Sequence, residues 1–353
     1  MPRKNDGAPG PPPQRLHTLK DGFWEDTAVY QLADGRQVVH KANKPASKPG
    51  PWALLALREE IRYLKESKGG IFPPLLRSWD YQDHQGMHVG LEIPFYQDHQ
   101  SVAQHVLENA ATQNEADQFQ HQLAKHLFRQ VHRPVPQPHL RHHLHDTLTS
   151  TCQQLGQIDR FHTVIHDSHI VLNGQAIPGL QTLLAQAEAA KLFDLIEHGP
   201  MVRLHGDLIL ENILIPKANT NTEEEFILID PVSVAGISAG PPLMDLVKYE
   251  SYARGDLLAV RSEWFLQAGP SQNSDGYAVA LQSDHPKLRP FNQTNWHHAF
   301  RQAFIEHHGP IDQQLYHLLD AYYALVMAVN TSGSQQWARV LLGMQSLHAA
   351  MPT

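Results

Sequence analysis

The sequence predicts an α+β protein in two parts, a small antiparallel β-rich N-terminal region and a larger, mainly helical C-terminal one. Three observations carry this expectation. Short apolar runs flank an Asp34-Gly35 turn near the start. One amphipathic segment then precedes further short strands, and beyond Pro94 the apolar residues recur mostly at helical spacing.

The elements follow in order. Residues 1–15 are Pro-rich and carry no apolar run, so a disordered tail is expected there. Residues 16–94 form the first lobe. Within it the runs VYQL and QVVHK pair across Ala33-Asp34-Gly35-Arg36, because Asp-Gly suits the left-handed turn of a hairpin. After a Pro/Gly-rich break at 43–51, apolar residues at Leu54, Leu57, Ile61 and Leu64 line one face of a helix. Gly69-Gly70 and Pro73-Pro74 end it, strands follow at 78–81 and 88–93, and Pro94 marks the exit from the lobe. Residues 95–353 form the second lobe, with helices expected over 101–132 and 181–198 and an Asn173-Gly174 hairpin at 170–177. The stretch 134–161 shows no readable period. Helices over 296–307, 311–329 and 335–351 complete an all-helical C-terminal end.

Composition narrows the function. The 353 residues, 41% of them hydrophobic, suit two domains or one two-lobed enzyme at roughly 100 to 200 residues per domain. Twenty-eight Lys and Arg against 36 Asp and Glu give a formal charge of −8, which disfavours nucleic acid as a partner and favours neutral or cationic ones. The longest apolar run, 321–329, falls short of the ~18 residues of a membrane span. A single cysteine, Cys152, forms no internal disulfide, so a cytoplasmic location is expected and the thiol is read as buried and inert.

The chemistry lies in MVRLHGDLILENILI and, after a polar loop, FILIDPVSVAG. An apolar strand runs into His205-Gly206-Asp207, Asn212 follows five residues later, and Asp230 closes a second apolar strand. Phosphoryl transfer from a nucleotide needs a carboxylate to accept a hydroxyl proton, and an amide oxygen and a second carboxylate to hold Mg²⁺ on the phosphates. Asp207, Asn212 and Asp230 supply that set, and a hairpin of ILI and FILI brings Asp230 back beside Asn212.

His205-x-Asp207-x4-Asn212, then Ile229-Asp230 and Gly240-Pro-Pro-Leu-Met-Asp245-Leu, resembles the aminoglycoside phosphotransferase and choline kinase family, relatives of protein kinases. The resemblance implies a protein-kinase-like fold whose first lobe binds nucleotide and whose second carries the catalytic loop, metal and substrate sites. It implies Asp207 as catalytic base, His205 bracing the loop, Asn212 and Asp230 on magnesium, and Asp245 as a buried anchor. It further implies Lys41, at the end of QVVHK, on the phosphates of ATP or GTP. Helical register favours Glu60 over Glu59 as the partner of Lys41. Glu92 to Phe95 would offer backbone contacts to the purine. Two departures stand out: Asp21-Gly22-Phe23-Trp24-Glu25-Asp26 has one glycine where a glycine-rich loop is usual, and Pro231 follows the metal aspartate in place of an aromatic residue.

The expected activity is therefore ATP-dependent transfer of the γ-phosphate to a hydroxyl of a small molecule, such as an aminoglycoside, amino sugar, sugar or related metabolite. A cationic acceptor fits the net charge, and Glu250, Asp256 and Glu263 are the carboxylates that would receive it. A protein kinase is the nearest alternative, but only 14 residues separate Asp230 from Asp245, too few for a long peptide-presenting loop, and Gly206 replaces the usual arginine. A catalytically silent ligand-binding relative would have lost Asp207 or Asp230, and neither is lost. Of the 25 histidines, the group His139, His142, His143, His145, His162, His166 and His169 invites a zinc reading, but scattered surface histidine is the expectation because neither cysteine nor a well-placed carboxylate joins it.

Overall fold

The structure is a computed structural model that describes residues 14–21, 25–44, 51–67, 69–109, 111–136, 138–217, 226–232, 236–272 and 275–352. The expected tail over 1–13, most of the break at 43–51, and residues 22–24 of the 21–26 loop lie outside the described residues. The fold class is the predicted one, antiparallel sheet first and helices after.

The first sheet joins β1 (Gln14–Asp21), β2 (Glu25–Gln31), β3 (Gln37–Asn43), β4 (Arg77–Asp83) and β5 (Gly86–Pro94) in the antiparallel order β1-β2-β3-β5-β4. β1 corrects the tail boundary, because Gln14 and Arg15 already pair with Gln31 and Tyr30. The Asp34-Gly35 turn forms as predicted: Gly35 takes φ 84°, and its N–H donates to Leu32 O at 2.9 Å. α1 (Pro51–Ser67) follows, and it buries Leu57, Ile61 and Leu64 on the predicted face. Val29, Val38, Val89, Leu91 and Ile93 of the sheet are buried too, as strand alternation requires.

The chain continues through β6 (His99–Ser101), α2 (Val102–Glu108), α3 (Gln113–Gln130), α4 (Leu140–Gly156), α5 (His162–His166), β7 (Ile170–Leu172), β8 (Gln175–Ile177), α6 (Leu180–Ala189) and β9 (Val202–Arg203). The helix expected over 101–132 is thus two. α3 restarts at a capping box, in which Thr112 accepts from Glu115 N and the Glu115 carboxylate accepts from Thr112 N. The β7–β8 hairpin turns at Asn173 (φ 51°) and Gly174 (φ 79°), as the Asn-Gly pair predicted. α4 occupies the unreadable stretch.

β10 (Ile213–Pro216) and β11 (Ile227–Leu228) form the expected antiparallel pair, Ile213 opposite Leu228. β12 (Ala239–Gly240) pairs with β9, and α7 (Leu243–Ala253) and α8 (Asp256–Arg261) follow. β13 (Phe265–Pro270) and β14 (Tyr277–Leu281) make a hairpin that the sequence did not reveal. α9 (Arg289–Gln293), α10 (His298–His308), α11 (Gln313–Ala328) and α12 (Gly333–Ala349) complete the chain.

By their contacts the residues divide into two compact units. The first contains the chain up to Gln100 together with Asn212–Ser238, and the second contains Ser101–Glu211 and Ala239–Thr353. The boundary at 94 moves only slightly, but Asn212–Ser238, expected in the second lobe, groups with the first. Backbone bonds account for this, since Leu228 N donates to Ile71 O at 2.7 Å. Among the described residues no helix is long and apolar enough to cross a membrane.

Candidate functional site

In the first unit the predicted residues converge on Lys41. β3 is flanked by β2 and β5, so its inward side chains are covered, and Lys41 is 4% exposed. Its Nζ lies 2.8 Å from Glu60 Oε2, 3.3 Å from Asp230 Oδ1 and 3.9 Å from Glu25 Oε2. Glu60 is the partner that helical register favours. It sits on the buried face of α1, whereas Glu59 pairs with Arg62. Burial alone would lower the Lys41 ammonium, yet Asp230, Glu60 and Glu25 hold it well above its ordinary range. Burial pushes Glu60 up to about 7, with Lys41 pulling it down and Asp230 pushing it up.

Asp230 reaches this position through its backbone. Ile229 N donates to Asn212 O at 2.9 Å, which fixes the end of β11 beside Asn212. Asp230 then adopts φ 52°, a left-handed conformation that costs a non-glycine residue roughly 1–3 kcal/mol and is found where a side chain must be aimed. Three carboxylates surround one ammonium here, so the cluster carries an excess of negative charge. Carboxylate oxygens are hard donors of the kind that Mg²⁺ takes, and the Asn212 backbone adjoins this cluster through its bond to Ile229. Among the described residues no group of three or more His, Cys, Asp or Glu is arranged to hold a metal ion by itself.

Glu92 and Phe95, expected near the purine, lie at the end of β5 and just beyond it. The Glu92 carbonyl accepts Leu76 N–H at 2.8 Å, and Phe95 N–H donates to Gln37 O at 3.2 Å. Those two backbone groups are engaged within the sheet and the turn leaving it. The Glu92 side chain lies 3.3 Å from His40 Nδ1.

In the second unit the loop His205-Gly206-Asp207 is held from below by Asp245. Asp245 is fully buried, and its two carboxylate oxygens each accept a backbone N–H at 2.8 Å, from His205 and from Gly206. Gly206 has φ 82°, so this double anchor needs the glycine. Asp207 N–H donates to His205 Nδ1 at 3.3 Å, so the fully buried imidazole braces the loop. Burial would raise the Asp245 carboxyl, but hydrogen bonding from His132 and the backbone holds it lowered. Because a carboxylate only accepts, His132 Nε2, 3.1 Å away, carries the proton. His132 Nδ1 in turn lies 3.0 Å from His308 Nε2, and burial together with the neighbouring histidines pushes His308 down to about 3.

Lys248 was not singled out from the sequence as a site residue, yet it is the nearest cation to Asp207, with Nζ 2.8 Å from Oδ1. Its signal was spacing: three residues past Asp245 on a helix puts both side chains on one face. His132, His308 and Glu25 were missed as well, for they sit far away in sequence. The loop's far end is fixed by Glu211, which accepts from Tyr252 OH at 3.0 Å and pairs with Arg261.

The carboxylates expected to receive a cationic acceptor are largely engaged. Glu250 is 1% exposed, pairs with Arg301 at 2.6 and 3.0 Å, and accepts from Tyr316 OH at 2.6 Å. Asp256 accepts from Arg254 at 2.9 Å, while Glu263 is exposed.

No family model matches the chain, and no curated protein matches it. Among solved structures, a protein described as a fructosamine-3-kinase from Thermobifida fusca YX-ER1 aligns over 96% of this chain and 93% of its own, with 14% identity and a TM-score of 0.46. A glucosamine kinase in complex with glucosamine, ADP and inorganic phosphate aligns over 99% and 96%, with 13% identity and a TM-score of 0.40. A spectinomycin phosphotransferase in complex with ADP and spectinomycin aligns over 96% and 92%, with 12% identity and a TM-score of 0.41. The chain is similar to these small-molecule kinases. The chemical reading rests on the side chains already described.

Proposed function

We propose that this protein transfers the γ-phosphate of a nucleoside triphosphate to a hydroxyl of a small molecule. The observation that carries the reading is the buried Lys41–Glu60 ion pair with Asp230 3.3 Å from the same ammonium. A strand lysine, a helix glutamate and an aspartate after a strand, brought together from across the sequence, are the parts that hold nucleotide phosphates in kinases. The His205-Gly206-Asp207 loop, anchored twice by Asp245, is a second and independent support.

In this reading Lys41 contacts the nucleotide phosphates and Glu60 orients it. Asn212 and Asp230 hold Mg²⁺, which would neutralise phosphate charge when bound. Asp207 accepts the acceptor's hydroxyl proton, with His205 and Asp245 fixing its backbone. Lys41, Glu60, Asn212 and Asp230 lie in the first unit, and His205, Asp207 and Asp245 in the second. ATP is the expected donor, with GTP tested beside it.

The acceptor is a hydroxylated small molecule, such as an amino sugar, sugar or aminoglycoside. The 14 residues between Asp230 and Asp245 are too few for a peptide-presenting loop, which favours a small acceptor over a protein. The test is ADP release from Mg·ATP against a panel of sugars, amino sugars, aminoglycosides and amino alcohols. Acceptor-stimulated ADP release supports the reading, and its absence across the panel, with no nucleotide binding, removes it.

A further inference from the structure

Lys248 and Asp207 form an ion pair whose side chains are 7% and 10% exposed. Taking an ammonium out of water costs several kcal/mol, and a well-packed apolar side chain of similar volume at such a place is often neutral or stabilising. Stability is therefore a poor reason to place a lysine there. The Lys248 Nζ also lies 5.0 Å from the centre of the Tyr323 ring on α11. Burial holds the Tyr323 hydroxyl well above its ordinary range, so this neighbour stays neutral.

The loop itself offers no positive charge. Between Asp207 and Asn212 stand Leu208, Ile209, Leu210 and Glu211. The cation beside the carboxylate comes instead from α7, one helical turn beyond Asp245. One helix thus fixes both the backbone of the loop, through Asp245, and its carboxylate, through Lys248. Titratable groups near this pair include His205 in the loop, Asp245 on α7, and His132, just past the end of α3 and behind Asp245.

Resting on the phosphotransferase reading above, we infer that Lys248 is a positioning residue that keeps Asp207 ionised and aimed while the acceptor hydroxyl is deprotonated. In that step the bond from acceptor oxygen to γ-phosphorus forms and the bond from γ-phosphorus to the β–γ bridging oxygen breaks. The electron pair leaves with the nucleoside diphosphate, and the hydroxyl proton passes to Asp207. Lys248 keeps its charge throughout. An adjacent ammonium favours the carboxylate form, so it extends activity towards lower pH.

The experiment compares wild type with Lys248→Met and Lys248→Arg, alone and in an Asp207→Asn background, using ADP release from Mg·ATP with the best acceptor of the panel. Lys248→Met should lower kcat by about 10- to 100-fold, leave the KM for ATP within about threefold, and move the acidic limb of the kcat/KM profile up by about one pH unit. Lys248→Arg should restore most of the rate. In the Asp207→Asn background the methionine change should cost less than about threefold, because the two residues act as one unit. A folded Lys248→Met protein with wild-type kcat and an unmoved acidic limb overturns the inference. Should that variant fail to fold, ¹³C resonances of aspartate carboxyls in the wild-type protein decide, with Asp207 identified by its loss in Asp207→Asn. Titration below the ordinary aspartate value of about 3.9 supports the pairing, and titration at or above it overturns it. Failure of the phosphotransferase reading is distinct, for the wild type would then release no ADP with any acceptor while the carboxyl titration still judged the pair.

Discussion

In the proposed function Asp207 serves the chemistry and Asp230 the grip on the nucleotide. Replacing a positioned general base typically costs ~10² to 10⁴ in rate, so Asp207→Asn should lose most turnover, with nucleotide affinity and thermal melting near wild type. Asp230→Ala should instead raise the magnesium concentration needed for half-maximal nucleotide binding, read by titration calorimetry. If Asp207→Asn retains full activity, the base lies elsewhere. Lys41→Ala should impair nucleotide use more than Glu60→Ala does, and the double variant should be little worse than Lys41→Ala, because Glu60 acts through the lysine 2.8 Å away. Independent, additive losses would separate the two roles. These residues were legible in the sequence because each is punctuated locally: Lys41 ends an apolar strand, Glu60 follows from helical register, and Asp207, Asn212 and Asp230 sit at strand ends. Lys248 and His132 carry no such mark. Their meaning comes from Asp207, 41 positions from Lys248, and from Asp245, 113 positions from His132, and no local pattern encodes such meetings.

At the scale of elements, the meeting of α3 and α10 makes stability depend on pH. His308 is lowered to about 3 in the folded protein against an ordinary 6.5, so between those values the unfolded chain binds the extra proton. Stability should therefore be unaffected by this group above about pH 6.5 and fall as pH drops towards 3. Thermal melts from pH 7.5 down to 4 should show a declining Tm, and His308→Gln should flatten part of the slope. An equal slope in both proteins would remove His308 as its source. The sheet offers a second test at Gly90 on β5, where an added Cβ would run into the Trp79 indole and the Lys41 carbonyl. Gly90→Ala should cost roughly 1–3 kcal/mol in urea unfolding, as overpacking does, and should also weaken nucleotide binding by shifting β3. Normal stability would show that Trp79 can turn aside. The hairpins at Asp34-Gly35 and Asn173-Gly174 and the face of α1 were readable because turn chemistry and periodicity are local. α4 was not, because a run of prolines precedes it and histidines blur its polar face. The β13–β14 hairpin escaped although its connection carries Asp275-Gly276, the same dipeptide that marks the turn at Asp34-Gly35.

For the whole molecule, the formal charge of −8 is the quantity that bears on the acceptor, since the carboxylates first considered for it, Glu250 and Asp256, are engaged with arginines. Long-range attraction favours cationic acceptors and is screened by salt over about 10 Å at 0.1 M. Amino sugars should thus have a lower KM than neutral sugars of similar size, and the difference should shrink between 20 and about 300 mM salt. Equal KM values without a salt effect would point to a neutral sugar or metabolite.

The grouping of Asn212–Ser238 with the N-terminal sheet has a consequence for synthesis. The ammonium of Lys41 and the carboxylate of Asp230 lie 3.3 Å apart but 189 residues apart along the chain. At a translation rate of ~5–20 residues per second, Lys41 leaves the ribosome about 10–40 s before its partner exists. During that interval the nascent sheet holds a lysine paired at most with Glu60 and Glu25, and it lacks the β10–β11 hairpin. The first unit is begun first and finished late, so a ribosome-stalled chain ending before residue 212 should present an N-terminal sheet that proteases cut readily. A chain extended past residue 238 should resist them.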